Sequence, residues 1–153
     1  MSPTAMSPMT ADYAALAREG YEQFNNDDFD SIPELLTDDV ELVNNAFGTT
    51  AHGKDAFVQT LQFLKAPFPD AKLEVISQVV GEDFVVNECI FRGTNTAPLM
   101  NPDGTSLPAT GKRVEVPFCE VWRVRDGKLA SLHYYGDNMS FYQQLGLIPG
   151  MGQ

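Results

Sequence analysis

The chain has 153 residues, enough for one domain with a real core and too few for two. Its hydrophobic content of 43% and charged content of 20% are those of an ordinary globular protein. A net charge of −11, with only 10 basic residues scattered along the chain, argues against a nucleic-acid or anionic-membrane surface, because phosphate binding needs clustered Lys and Arg.

No apolar run reaches the ~18 residues needed to span a bilayer. The first ten residues, MSPTAMSPMT, lack the basic-then-apolar order of a signal peptide and are expected to form a disordered lead-in. One domain over 11–149 and a tail over 150–153 are expected to follow. Cys89 and Cys119 are too few for a disulfide framework and sit in apolar runs that read as core. A reduced, cytoplasmic setting is the corresponding expectation.

Residues 10–25 place Tyr13, Leu16, Ala17, Tyr21 and Phe24 on one helical stripe, with Thr10 as the expected N-cap. A second short helix is expected over 32–36, capped by Asp30 or Ser31, with Pro33 in its first turn. Val40, Leu42 and Asn44 then share one face of a strand within 38–45. Gly53 ends a loop that holds His52. Ala56, Phe57, Leu61 and Leu64 repeat at helical spacing until APFPD stops that helix.

From residue 72 the texture is β. KLEVISQVV, DFVVNECIFRGTN, KRVEVPFCEVWRVR and KLASLHYY are rich in β-branched and aromatic residues. GED at 81–83 and DGK at 126–128 are hairpin turn signals. The loop APLMNPDGTSLPATG is long and rich in Pro and Gly, and long ordered loops are often functional. A last helix over 137–145 ends at Gly146. Helices first and strands after predict an α+β fold, a curved antiparallel sheet wrapped around the N-terminal helices as a cone with an internal cavity.

The chain resembles the SnoaL-like polyketide cyclases of the nuclear-transport-factor-like superfamily. The resemblance is carried by FNNDDFDSIPELLTDDV, HGKDAF, FPD, FRGTN, PATGKRV, VWRVRDGKL and DNMSFYQQLG, in family order across roughly residues 12–149. It implies a hydrophobic aromatic substrate held in the cone and a ring closed by an intramolecular aldol step, without metal or cofactor. It also implies that an aspartate at the end of the last strand, ahead of the QLG helix, is the acid/base. Asp137 falls on that position. Relatives of this shape include ketosteroid isomerases, epoxide hydrolases and plain ligand binders, so fold alone leaves the reaction open. Where the family often writes GTH, this chain has Gly93, Thr94 and Asn95. Where it tends to have His and Trp five and four residues before the aspartate, this chain has Leu132 and His133.

An aldol cyclisation needs a base beside a carbonyl and a donor for the oxyanion that forms. If the last strand runs on to Asp137, then Asp137, Tyr135 and His133 share one face, since side chains alternate along a strand. The alternative for Asp137 is a plain helix N-cap. Phe118, Glu120 and Trp122 share a strand face. Glu120 is either the second carboxyl of a pair with Asp137 or a surface residue near a sheet edge. Glu88 is expected to pair with Arg92. Asn44 is a carbonyl-holding amide or a turn residue. His52 belongs to a loop over the mouth or to the surface. Tyr21 is core or reaches into the cone with its hydroxyl. Met100, Phe63 and Phe68 are possible pocket walls. His52 and His133 lack a carboxylate or Cys cluster at ligand spacing, so no metal site is expected. Nor is there a glycine-rich phosphate loop or a Ser or Cys nucleophile motif. The expected partners are a small hydrophobic substrate and further copies of the chain, as a dimer or tetramer covering the exposed sheet face.

Overall fold

The computed structural model describes residues 8–101 and 103–149. The elements are α1 (Pro8–Asn25), a 3-10 turn (Ile32–Leu35), β1 (Leu36–Asn44), β2 (Thr49–His52), α2 (Lys54–Lys65), β3 (Lys72–Val80), β4 (Phe84–Thr94), β5 (Leu99–Met100), β6 (Ser106–Leu107), β7 (Arg113–Arg125), β8 (Lys128–Gly136) and α3 (Asn138–Gln144). No helix among the described residues is long and apolar enough to cross a membrane.

The stripe on α1 forms as its spacing predicts, with Ala17, Tyr21 and Phe24 buried against the sheet. The helix includes residues 8–10, so Thr10 is inside it and does not cap it. The rest of the expected lead-in, and the tail over 150–153, lie outside the described residues. At the other end the buried Lys65 ammonium donates to the Phe24 carbonyl at 2.7 Å and pairs with Asp27 at 2.8 Å. A cation on these last carbonyls satisfies groups the helix leaves unpaired. Asn25 then exchanges both amide hydrogen bonds with the Leu73 backbone, which fixes α1 to the start of β3.

The second helix is a single 3-10 turn. Its Ser31 hydroxyl donates to Asp28 and makes no cap bond. His52 lies in a strand, β2, because residues 49–52 pair with 41–44 of β1. The long loop holds a small β5–β6 hairpin. Asn95 secures its base: its Oδ1 accepts from the Thr110 amide and hydroxyl, and its Nδ2 donates to the Pro67 and Ala97 carbonyls. In this chain the residue after Gly93-Thr94 is thus a structural knot.

The main sheet runs β2-β1-β8-β7-β4-β3. All neighbours are antiparallel except β1 and β8, which are parallel, so the sheet is mixed. Ladder irregularities fall in β1, β3 and β8. Each extra residue bends its strand, and the sheet curls into the cone. Asp126 and Gly127 make the β7–β8 turn at φ 54° and 76°, the left-handed pair a two-residue hairpin needs. Helices α1 and α2 cover the concave face. Gly20 lets α1 approach closely, since a Cβ there would sit 2.6 Å from the Trp122 ring. The convex face keeps large apolar side chains in solvent, including Ile76 and Val79.

Candidate active site

Between the sheet, α2, the β5–β6 hairpin and α3 lies a cavity of about 660 Å³. This is the size of a site for a small organic ligand. Its walls are mostly aromatic: Phe24, Phe68, Phe91, Phe118, Tyr134 and Phe141. Phe68 anchors the set with edge-on contacts to Phe91 and Phe141, at 5.3 and 5.5 Å between ring centres. Phe47 from the β1–β2 turn, Phe63 from α2 and Met100 from β5 line the cavity and remain exposed. They form an apolar rim at the mouth. The titratable lining groups are His52, Glu120, Tyr134, Asp137 and Tyr142, and no Lys or Arg among the described residues faces the cavity.

Glu120 sits at the floor and is only 8% exposed. The alternation of β7 explains it: Val114, Val116, Phe118, Glu120, Trp122 and Val124 all face inward. The edge-of-sheet alternative for Glu120 is thereby excluded. Its Oε1 accepts two hydrogen bonds, from the Tyr21 hydroxyl at 2.7 Å and from the Trp122 indole N–H at 2.9 Å. Burial raises the Glu120 pKa, and the two hydrogen bonds oppose that rise without cancelling it. The same desolvation, with the Glu120 charge, pushes the Tyr134 phenol and the Cys89 thiol up to about 12. Burial first, and then the Glu120 charge, also raise the Tyr21 phenol well above its ordinary value.

Tyr21 and Trp122 do not line the large cavity. Their rings meet at a tilt of 56°, 5.3 Å between centres, and bound a small void of about 40 Å³ next to Glu120. They hold the carboxyl and leave ligand contact to others. Asn87, also buried, donates to the Glu120 backbone carbonyl and accepts from Gln78, which in turn reaches the Ala14 carbonyl on α1.

Asp137 stands at the mouth. Its Oδ1 accepts from the Ser140 amide at 3.0 Å, the N-cap bond of α3, and its carboxyl also lines the cavity. Asn44, 5% exposed, uses Oδ1 to accept from the Ala46 and Phe47 amides. Its Nδ2 has no hydrogen-bond partner among the described residues and is left for the cavity it lines. His52 lines the rim with its ring largely in solvent, 3.3 Å from Glu41.

The family model for SnoaL-like polyketide cyclases matches residues 15–145. The chain belongs to the SnoaL-like polyketide cyclase family. The SnoaL-like chain is similar in structure to the candidate polyketide cyclase IdmH from Streptomyces antibioticus, at 28% identity and a TM-score of 0.73 over 87% of this chain and 97% of that one. It also resembles a candidate SnoaL-like cyclase from Jannaschia sp. CCS1, at 17% identity and a TM-score of 0.84 over 95% and 99%. A protein from Catenulispora acidiphila with a ketosteroid-isomerase-like fold shares the architecture at 17% identity and a TM-score of 0.73 over 87% and 93%. No curated protein matches the chain.

This SnoaL-like cone separates three residues that strand parity groups together. An irregularity at Ala130 resets β8, so Leu132 and Tyr134 pair with the inward-facing Trp122 and Glu120. His133 and Tyr135 pair with Val121 and Cys119 and point to the convex face, away from the cavity. Asp137 escapes the alternation because the chain leaves extended geometry there, at ψ 88°, to start α3. Of the three, only Asp137 faces the cavity. The residue missed was Tyr134, whose phenol extends over Gly136, where a Cβ would collide with its hydroxyl. The signal was present in the sequence, since Leu132 shares its parity and is apolar like the inward positions of β7. The expected Glu88–Arg92 pair does not form either. Arg92 pairs with Glu74 and Glu115, while Glu88 accepts from the Ser77 hydroxyl. Of the two cysteines, Cys89 is core and Cys119 is half-buried on the convex side.

Proposed function

We propose that this chain is a cofactor-independent acid/base enzyme that closes a ring by an intramolecular aldol step on a small, hydrophobic, polyketide-like substrate. The observation that carries the reading is one aromatic cavity with a carboxyl at its mouth, Asp137, and another at its floor, Glu120. The Asp137 carboxylate takes a proton from the carbon beside a carbonyl. That carbon then attacks a second carbonyl carbon of the same molecule. The new C–C bond leaves an alkoxide, and the Asp137 carboxylic acid returns the proton to it. No electrons are gained or lost, and no oxidant or water is needed. The Asn44 Nδ2 and the Tyr134 hydroxyl are donors within the same cavity for the developing oxyanion. His133 and Tyr135 have no part in this scheme.

The test is hydrogen exchange at the acidic carbon of aromatic polyketide esters in D₂O, followed by mass spectrometry. The wild-type protein accelerates exchange and the D137N variant does not. An isomerase working in the same cavity would move the double bond without forming a ring. A hydrolase would incorporate labelled water into the product. Equal acceleration by wild type and D137N would remove Asp137 from the chemistry, and acceleration by neither would leave a binding protein.

We further propose that the chain works as a homo-oligomer through the convex sheet face. In support, Val79, Val86 and Val121 pair in one cross-strand row, which His133 carries on to Val43. Val79 is 64% exposed in the single chain. An apolar patch of this kind marks an interface.

A further inference from the structure

The two hydrogen bonds to Glu120 converge on a single oxygen. The Tyr21 O–H and the Trp122 N–H both end on Oε1, and both donors come from the side of the carboxyl away from the large cavity. Oε2 accepts nothing among the described residues, and Glu120 is also part of the cavity wall. The groups facing this carboxyl are Tyr21 on α1, Cys89 on β4, Trp122 on β7 and Tyr134 on β8. None is a cation. A further carboxyl, Asp137, shares the cavity, and two like charges in one apolar space disfavour each other.

We propose that Glu120 works as a neutral carboxylic acid that carries its proton on Oε2 and donates it, as a hydrogen bond, to a carbonyl or enolate oxygen of the ligand. With Oε1 occupied by two donors, the proton has only Oε2 to sit on. Tyr21 and Trp122 are the positioning residues, since they fix which oxygen faces the ligand. The raised pKa of Glu120 agrees with this geometry. The inference deepens the acid/base reading: Asp137 moves the proton, and Glu120 polarises the oxygen on which charge gathers. The ligand class narrows to molecules whose inner end carries a carbonyl or phenolic oxygen.

The consequence is specific to one substitution. In E120Q the amide oxygen accepts from Tyr21 and Trp122, and the amide N–H takes the place of the carboxylic O–H. In E120L both functions are lost. The first measurement is difference infrared spectroscopy of the ligand-free protein at neutral pH, wild type against E120Q. A carbonyl stretch of a protonated carboxyl, missing from E120Q, is expected. Its absence from the wild type would overturn the proposal.

The second uses 2-naphthol as the probe, followed by its absorption and fluorescence. Wild type and E120Q bind it within about threefold of one another, and E120L binds it at least about tenfold more weakly, as for a lost hydrogen bond to a developing charge. The probe bound to E120Q titrates below its value in E120L, because a donor favours naphtholate while burial raises both alike. A higher value in wild type than in E120L would mean an ionised Glu120. Equal behaviour of all three proteins, including binding by none, would remove the donor role. Failure of the enzyme reading is separable, since it shows as no acceleration of proton exchange by the wild type while the Glu120 band and the naphthol shift persist.

Discussion

Glu120 and Tyr134 stand directly opposite each other on β7 and β8, and both turn into the cavity. Residues on adjacent strands at one register position share a face, so this pairing sets the polar floor of an otherwise aromatic chamber. Asp137, three residues past the inward-facing Tyr134, reaches the same chamber from the N-cap of α3.

The D137N and D137A variants separate the two roles of that carboxyl. Asparagine caps a helix about as well as aspartate, so D137N keeps its stability, whereas D137A loses about 1 kcal/mol. Both lower turnover by roughly 10²–10⁴-fold, the scale of a general acid/base. Thermal melts and α-proton exchange, run side by side, check the pair. Loss of activity that tracks loss of stability would reduce Asp137 to a cap.

The neighbouring tyrosines give opposite results. Y134F removes the hydroxyl inside the cavity and slows exchange by up to about 10²-fold. Y135F and H133A alter the convex face and leave the exchange rate unchanged. Steady-state rates for the three variants decide the matter, and equal losses in Y134F and Y135F would contradict the register.

Glu120 leaves a signature in the pH dependence of stability. Its native-state pKa is raised, so the folded protein holds a proton that the unfolded chain releases above ~4.3. Stability from this group therefore falls as pH rises from there, until the raised native value is passed. Asp39, Asp70 and Asp103, whose pKa values are lowered, act in the opposite sense, with stability lost as pH falls. Denaturant melts of wild type and E120Q isolate the Glu120 part. The stability of E120Q relative to wild type should increase with pH across that window, and a flat difference would mean an unshifted carboxyl.

G20A tests the contact between α1 and the sheet. Alanine favours a helix by about 1 kcal/mol over glycine, but its Cβ would meet the buried Trp122 ring at 2.6 Å. Overpacking of a core costs about 1–3 kcal/mol, so G20A is destabilised on balance. Because Trp122 holds Glu120, the Glu120 infrared band should also shift. A G20A protein more stable than wild type would show that α1 moves freely to absorb the methyl group.

The convex face predicts a dimer or tetramer in solution. Charges introduced by V79E and V121E should dissociate it without unfolding the chain, as read by light scattering and circular dichroism. A monomeric wild type would leave the valine row without a partner.

Much of the architecture was legible in the sequence because it depends on local periodicity. The α1 stripe of Ala17, Tyr21 and Phe24 follows from 3.6-residue spacing, and the inward face of β7 from strict alternation, so the apolar residues flanking Glu120 already marked it as unusual. The turns at Asp126-Gly127 and the caps around α3 follow from residues whose own backbone preferences select them. The resemblance located Asp137. What the sequence left open depends on registry between distant segments. One extra residue in β8, Ala130, reverses which side chains face inward, and that residue is extra only relative to β7. Whether Asn44 is a turn residue or a cavity residue had no single answer, because its two amide ends do different things. That Tyr21 and Trp122 meet on one oxygen of Glu120 was decided by the docking of α1, 99 residues away in the chain from Glu120, onto the concave face of the sheet. Periodicity assigns a side chain to a face of its own element, and only the packing of elements decides what that face meets.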